Sequence, residues 1–221
     1  MPAKKLTAIE VFVLLFVALI VAIGFYLFYT NLPKFLYYTQ EDHLVEWLTV
    51  LGLLAGSAVC FVRFFKLLKR RGGWFLLVTF LLGLLLFFAA GEEVSWGQRI
   101  FRLKSSEFFE KYNAQGELNF HNLVVGGVKI NKLIFSIGLI VCLSLYLLVL
   151  PLLYQKNSSL KKLVNNSGVP VPESYQIIAF VLLFIIVSLL RHEKNAEILE
   201  CGTAVFLFLI IAYPKNKEVF Q

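Results

Sequence analysis

Charged side chains are scarce in this chain: Lys, Arg, Asp and Glu make up 16% of its 221 residues, while 59% are hydrophobic. Soluble globular domains carry about 25% charged residues. The mean hydropathy of +0.77 points the same way. This balance excludes an ordinary soluble domain and is typical of a polytopic membrane protein.

Cysteine is also rare. The three cysteines, Cys60, Cys142 and Cys201, each lie within an apolar run and form no CxxC pair. They cannot form an even set of disulfides. We interpret them as buried hydrophobic residues.

Several catalytic and cofactor motifs are missing. The chain has no HExxH, GxSxG, phosphate-binding loop or GxGxxG after a strand, and His192-Glu193 lacks the second His of a zinc protease. No internal repeat indicates an inverted-repeat transporter. Nothing in the sequence indicates haem or nucleic-acid binding.

Long apolar runs are abundant and predict the fold class. A bilayer span needs about 20 apolar residues. Such runs cover about 8–30, 45–65, 74–90, 131–154, 175–190 and 198–213. The last two are short, and the polar turn 191–195 separates them. We predict one all-α membrane domain over 1–221, a polytopic helical bundle of six transmembrane helices. A five-helix alternative would merge or drop one of the last two.

The first run is too long and too aromatic for a cleaved signal peptide.

The basic residues predict the orientation of these spans. They precede the first run and follow the second, fourth and last runs: Lys4, Lys5, Arg63, Lys66, Lys69, Arg70, Arg71, Lys156, Lys161, Lys162, Lys215 and Lys217. The positive-inside rule places them, and both termini, in the cytoplasm. We interpret the basic run 63–71 as this topology signal rather than as a lipid or nucleic-acid site.

The opposite ends of the predicted spans carry the ionisable residues that are suited to chemistry. Residues three, four and seven apart share a helix face. This spacing predicts three carboxylate-bearing stripes: Asp42, Glu46 and Thr49; Glu92, Ser95, Trp96 and Arg99, if the helix continues through Gly97; and Glu193, Glu197 and Glu200. Such stripes must face the bundle interior or water. Grouped carboxylates repel one another, so they need a proton, an Arg or a metal ion.

The connection 101–127 predicts a short interfacial helix. Ser105 and Ser106 can cap it, and Glu107 and Glu110 would occupy its first turn, where the helix dipole favours them. Its aromatic residues, Phe108, Phe109 and Tyr112, would lie at the lipid interface. Gly126-Gly127 predicts a turn before the next span, and the polar segment ahead of it would fold back over the carboxylates. The alternative is an ordinary amphipathic surface loop.

Two motifs carry a resemblance. Gly91-Glu-Glu-Val-Ser-Trp-Gly-Gln-Arg99 and Asn113-Ala-Gln-Gly-Glu-Leu-Asn-Phe-His-Asn122 resemble the GEExSWGQR and NxQGExNxHN motifs of a family of small, uncharacterised prokaryotic membrane proteins. The resemblance covers about residues 40–125. It implies a multi-pass protein of the prokaryotic inner membrane and no particular activity.

These residues suggest a membrane-embedded hydrolase or transferase that acts on a lipid or lipid-linked substrate at the outer face. The layout is similar in kind to alkaline ceramidases, although the last helix lacks paired histidines. We assign acid, base and headgroup-holding roles to Glu92, Glu93, Arg99 and His121. The predicted substrate-binding residues are Trp96, Gln98, Gln115, Asn119 and Asn122. A candidate divalent metal (Zn, Mn or Fe) would take Glu46, Glu93, His121 and Glu197.

Two other function classes stay open. A proton- or cation-coupled transporter would need a polar path across the midplane. A non-catalytic scaffold would use the same polar residues to hold helices together or to dock a partner, and the Glu–Arg pairs would then be structural.

Overall fold

A computed structural model of the chain describes residues 5–120, 122–125, 128–129 and 138–221. Helices dominate this part of the chain. In order they are α1 Ala8–Thr30, α2 Leu32–Tyr38, α3 Leu44–Leu67, α4 Gly73–Glu93, α5 Gln98–Phe101, α6 Glu107–Tyr112, α7 Leu139–Ser144, α8 Leu150–Lys156, α9 Ser158–Asn166, α10 Ser174–Ser188 and α11 Asn195–Ala212. A π-helical segment, Leu145–Val149, joins α7 to α8, and Lys217–Phe220 form a 3₁₀ turn. Strands β1 Val124–Val125 and β2 Val128–Lys129 pair antiparallel.

Five helical segments are long and apolar enough to cross a membrane, which is the pattern of a multi-pass membrane protein. They are α1, α3, α4, the continuous segment Leu139–Lys156, and α11. The described helices begin and end within three residues of the predicted runs, except that residues 131–137 of the fourth run lie outside the described residues. The predicted fifth span corresponds to α10, an apolar helix of 15 residues that is shorter than the other five.

Helix α3 lies at the centre of the bundle, where it packs against both α4 and α11. Helix α11 also packs against α1 and α10 around a core of aliphatic and aromatic residues. Gly52 allows the close approach of α3 and α11, because a Cβ there would lie 3.1 Å from the backbone of Ala204. Packing against α11 on one side and α4 on the other therefore holds α3 in place.

The alternating helix directions give the bundle two chemically different ends. At one end, Arg63 of α3 donates hydrogen bonds to the carbonyls of Ile211 and Ala212, which end α11. At the other end, the start of α3, the end of α4 and the start of α11 bring Glu46, Glu93 and Glu197 toward one another. We call the second the acidic end.

The structure tests two predictions about the chain after α4, and their outcomes differ. The short helix in the 101–127 connection exists as α6, with Ser106 at its N-cap, although the Ser106 side chain makes no capping hydrogen bond. The predicted helical stripe through Glu92, Ser95 and Arg99 is wrong, because α4 ends at Glu93 and a left-handed turn follows. The predicted turn at Gly126-Gly127 lies outside the described residues.

Candidate functional site

A left-handed turn follows α4 directly. Ser95, Trp96 and Gly97 have φ angles of +47°, +54° and +74°. Non-glycine residues pay about 1–2 kcal/mol each for this conformation. Only Gly97 adopts it without a Cβ penalty. Two strained residues in a row therefore require compensating contacts from the rest of the structure.

Residues of the second motif supply those contacts to Ser95. The Ser95 hydroxyl is fully buried, donates to Glu117 Oε2 at 2.7 Å and accepts from Asn119 Nδ2 at 2.9 Å. Asn119 also donates to Glu117 Oε2 at 3.0 Å. The strained turn of the first motif is thus held by the loop that carries the second.

Glu92 joins the same two motifs through both of its carboxylate oxygens. Oε1 accepts from Trp96 Nε1 at 2.8 Å, and Oε2 accepts from the backbone N–H of Phe120 at 2.6 Å. The side chain is 4% exposed. The Trp96 indole in turn covers Gly91, where a Cβ would lie 2.9 Å from the ring. The contacts of Glu92 are those of a carboxylate that fixes the loop on the end of α4.

Two of the predicted substrate-binding residues are engaged in the same way. Gln98 accepts from the backbone N–H of Leu118 at 2.6 Å and donates to Ser105 Oγ at 2.8 Å. Asn119 is buried and accepts from Asn113 Nδ2 at 2.9 Å. Their side-chain donors and acceptors therefore serve the loop itself.

The remaining two predicted binding amides lie nearer the surface. Gln115 donates to Glu41 Oε1 at 3.0 Å and accepts from Asn122 Nδ2 at 2.6 Å, and both of these bonds are exposed. Trp96 is likewise exposed, at 40%. A ligand approaching the loop from outside would meet Trp96, Gln115 and Asn122 before Gln98 or Asn119.

Arg99 is the hub of the acidic end. Its guanidinium lies 2.8 Å from Glu117 Oε1, 3.2 Å from Glu46 Oε1 and 3.3 Å from Glu41 Oε2, and its Nε lies 2.7 Å from Asp42 Oδ2, at ion-pair distance without hydrogen-bond alignment. The side chains of Glu46 and Glu117 are 7% and 15% exposed, whereas those of Glu41 and Asp42 are 43% and 44% exposed. One guanidinium therefore joins the start of α3, helix α5 and the second motif.

The electrostatics of this hub favour the charged guanidinium. Burial alone would lower the pKa of Arg99, but the four surrounding carboxylates, with Glu117 first, raise it overall. Four carboxylates around one cation leave an excess of negative charge. A phosphate or carboxylate headgroup would have to displace acidic side chains to reach Arg99, which makes the predicted headgroup-holding role unfavourable.

Glu93 lies in a different environment from its neighbour Glu92. It is half-buried at the end of α4, and the charged groups that act on it are Glu200, Glu197, Glu46 and Glu92. Within the described part of the chain, no hydrogen bond reaches its carboxylate. Glu93 is thus a half-buried acid among other acids.

The carboxylates of α11 differ in their pairing. Glu197 Oε1 lies 3.0 Å from Lys194 Nζ. Burial alone would lower the pKa of Lys194, but Glu197 raises it overall. Glu200, one turn further along α11, is half-buried and acts directly on Glu93. Glu93 at the end of α4 and Glu200 near the start of α11 are therefore like charges that interact electrostatically on the two helices that flank α3.

The structure describes three of the four residues predicted to bind a metal ion. Glu46, Glu93 and Glu197 are close enough to interact electrostatically, and His121 lies outside the described residues. Among the residues that the structure describes, no three His, Cys, Asp or Glu side chains are arranged as metal ligands. Arg99 is the cation that Glu46 contacts here.

Sequence reasoning left several residues of this end out of the site. Glu117, Ser95, Asn113, Glu41 and Asp42 hold the loop or the Arg99 hub. Glu200 was placed in a stripe by its spacing from Glu197 but was not assigned a role. For Glu117, the available signal was its place inside the second motif. Neither protein-family models, curated proteins nor solved structures match this chain.

The left-handed turn leads to a first prediction. We expect Gly97→Ala to lower the free energy of unfolding by more than the roughly 1–2 kcal/mol that backbone strain alone would cost. The added Cβ would also lie 3.0 Å from the Phe101 ring. Gly116→Ala is the matched control: Gly116 has φ +69° with nothing within 4 Å of the added Cβ. Melting temperatures in detergent compare the two. Equal losses would mean that the contact with Phe101 adds nothing.

Proposed function

We propose that this chain is an integral membrane enzyme that uses Glu93, together with Glu200, as a general acid and base on a lipid or lipid-linked substrate at the acidic end. The observation that carries the proposal is the contrast between Glu92 and Glu93. Glu92 has both oxygens hydrogen-bonded and is 4% exposed. Glu93 is half-buried among carboxylates, with no hydrogen bond from the described residues.

The chemistry follows from what two such carboxylates can do. Like charges that are close together and partly removed from water cannot both stay ionised without cost. A proton held between Glu93 and Glu200 relieves the repulsion and leaves one carboxylate free to accept a second proton. A group that can both donate and accept a proton supplies general acid–base catalysis, which contributes about 10²–10⁴-fold to a rate.

The position of the pair favours a substrate from the membrane. Both residues belong to helices that are long and apolar enough to cross a bilayer, near the ends of those helices. Lipid headgroups and the bonds that join them to acyl chains lie at this depth. The exposed Trp96 and Gln115 and the half-buried Asn122 at the same end are the groups that a headgroup would contact.

Product formation from defined lipids tests this proposal. The purified protein is reconstituted in liposomes of defined composition, and the lipids are followed by mass spectrometry over time. We expect new lipid species with the wild type and about 10²–10⁴-fold less with Glu93→Gln. Glu107→Gln, an exposed carboxylate at the start of α6, controls for the loss of one charge. No product from any lipid class would overturn the proposal.

A scaffold is the second candidate, and one observation favours it. The polar side chains of Ser95, Glu117 and Asn119 bond to one another, and Gln98 accepts from the backbone N–H of Leu118. In a scaffold the whole network, Glu93 included, would serve to hold the loop and helices together. The stability of the Glu93 variant separates the two candidates.

We also propose a finer topology. Helix α10 serves as a sixth span despite its 15 residues, and both termini lie in the cytoplasm of a prokaryotic cell. Helices α5 and α6 lie in the membrane interface. Exposed aromatic and aliphatic side chains on these helices and between them support this arrangement: Ile100, Phe101, Leu103, Phe108 and Tyr112.

Single-cysteine labelling tests this topology. In a background without native cysteines, Gln115→Cys and Leu160→Cys should react with a membrane-impermeant reagent from opposite sides of sealed vesicles, because an odd number of spans would separate residues 115 and 160. The reagent should reach residue 115 from outside. Labelling of both positions from one side would contradict the six-span arrangement and the location of the acidic end.

A further inference from the structure

The end of the bundle opposite the acidic end has a strong positive charge. The segments 63–75, 154–171 and 215–220 contain ten Lys or Arg residues and one acidic residue, Glu218. We call the exposed members of this set the basic face: Lys66, Lys69, Arg70, Lys156, Lys161, Lys162 and Lys217. These side chains lie in the last turn of α3 or α8, follow α3 or α11, or lie on α9, so they are grouped where spans end.

Side-chain hydrogen bonds join the three segments into one surface. Trp74 Nε1 donates to Ser167 Oγ at 3.0 Å, which ties the start of α4 to the end of α9. Asn216 Nδ2 donates to Asn165 Oδ1 at 3.1 Å, which ties the segment after α11 to α9. The basic face is therefore a product of tertiary contacts rather than a set of separate loops.

The start of α4 is the most open part of this face. Gly72 is its N-cap and supplies no side-chain hydrogen bond. A Cβ on Gly72 or Gly73 would meet nothing within 4 Å, so the space above the first turn is free. Beside it, Arg71 Nε is buried and has no hydrogen-bond partner among the described residues. The first turn of α4 and the positively charged Arg71 therefore lie next to the same open space.

Aromatic exposure at the same place indicates the membrane interface. Trp74, the second residue of α4, is 62% exposed. Tryptophan is enriched where transmembrane helices meet the headgroup region. Clusters of four to eight Lys or Arg next to a span are the sequence signature of contact with anionic lipids.

The sequence alone favoured a topology signal for the basic run 63–71 over a lipid site. From the tertiary arrangement we propose that the basic face also binds the phosphate groups of anionic phospholipids in the adjacent leaflet, with Arg70 and the first turn of α4 at its centre and Arg71 beside them. This interaction lies at the opposite end from the proposed reaction and does not depend on it. The excess of basic residues and the open first turn of α4 match an anionic phosphate. The position beside span ends and Trp74 matches a lipid rather than a soluble anion.

Lipid retention by the full-length protein tests this inference. The purified protein is mixed with phosphatidylglycerol or phosphatidylcholine in detergent micelles, and bound lipid is counted by native mass spectrometry alongside the melting temperature. We expect phosphatidylglycerol to be retained preferentially and to raise the melting temperature. Lys69→Gln/Arg70→Gln, which changes two exposed side chains, should reduce its affinity about 5–25-fold, at about fivefold per basic residue.

A variant of equal charge change is the control. Arg102→Gln/Lys104→Gln removes two exposed positive charges beside α5, and its retention of phosphatidylglycerol should match that of the wild type. Three results would overturn the inference: equal retention of the two lipids, equal losses in the two variants, or the same rise in melting temperature with inorganic phosphate alone. A rise with phosphate would identify a soluble anion as the ligand.

Discussion

Arg99→Met should lower the free energy of unfolding by about 3 kcal/mol. Breaking a buried ion pair by removing one partner costs roughly 3–5 kcal/mol. The lower end applies because Arg99 is 26% exposed and two of its four partners are more than 40% exposed. The loss comes mainly from Glu46 and Glu117, which would stay next to each other with no cation.

The raised pKa of Arg99 determines the pH range over which this stabilisation applies. A group whose folded pKa is raised contributes its full stabilisation below the ordinary value and loses it only as the pH rises through the folded value. The carboxylates around Arg99 raise its pKa above the ordinary value. Arg99 should therefore stabilise the protein across the whole neutral range, without a step near pH 7.

Thermal melting in detergent measures the effect of Arg99→Met. Lys104→Met is the control, because Lys104 is exposed in the same connection. A double-mutant cycle with Glu117→Gln isolates the 2.8 Å pair, and a positive coupling energy is expected because each single change removes the same contact. Equal melting temperatures for Arg99→Met and Lys104→Met would contradict the claim that the ion pairs of Arg99 stabilise the fold.

Glu93→Gln should reduce activity about 10²–10⁴-fold and leave the melting temperature unchanged or higher. The substitution keeps the shape of the side chain and removes one charge from a group of carboxylates that repel one another. The loss of activity and the gain of stability share one cause: a charge that is kept for reaction is a burden on the folded state.

The adjacent residue provides the matched comparison. Glu92→Gln is expected to lower the free energy of unfolding by about 1–3 kcal/mol, because an amide would place a donor against Trp96 Nε1 or the N–H of Phe120. From the sequence alone, either glutamate could be replaced at no cost to stability. The same substitution at neighbouring positions should instead have opposite effects. Equal destabilisation by both would favour a scaffold.

The spans were predictable because hydrophobicity is read from composition over a window of about 20 residues. The predicted run 8–30 coincides with α1, and 45–65 and 74–90 lie within α3 and α4. Helix ends shift by a few residues since capping depends on local contacts. Helix α4 ends at Glu93.

The candidate site was predictable only in part. The sequence indicated that the grouped carboxylates need a proton, an Arg or a metal ion, and in the structure Arg99 Nη2 lies 3.2 Å from Glu46 Oε1. The stripe itself failed, because helical spacing assumes helical φ angles and Ser95 and Trp96 have positive ones. No local propensity predicts two strained non-glycine residues. The buried contacts of Ser95 with Glu117 and Asn119, residues more than 20 positions away, stabilise them.

The amino-acid order alone determines that this is a predominantly helical chain with segments long and apolar enough to span a membrane, acidic at one set of helix ends and basic at the other. These properties are sums over local composition, and they do not require knowledge of which helices touch. Tertiary structure alone decides which acid accepts hydrogen bonds and which lies among other carboxylates. Glu92 and Glu93 are chemically identical and adjacent, yet one meets an indole and a backbone N–H while the other meets carboxylates. Their difference arises because consecutive residues on a helix project about 100° apart and therefore meet different neighbours.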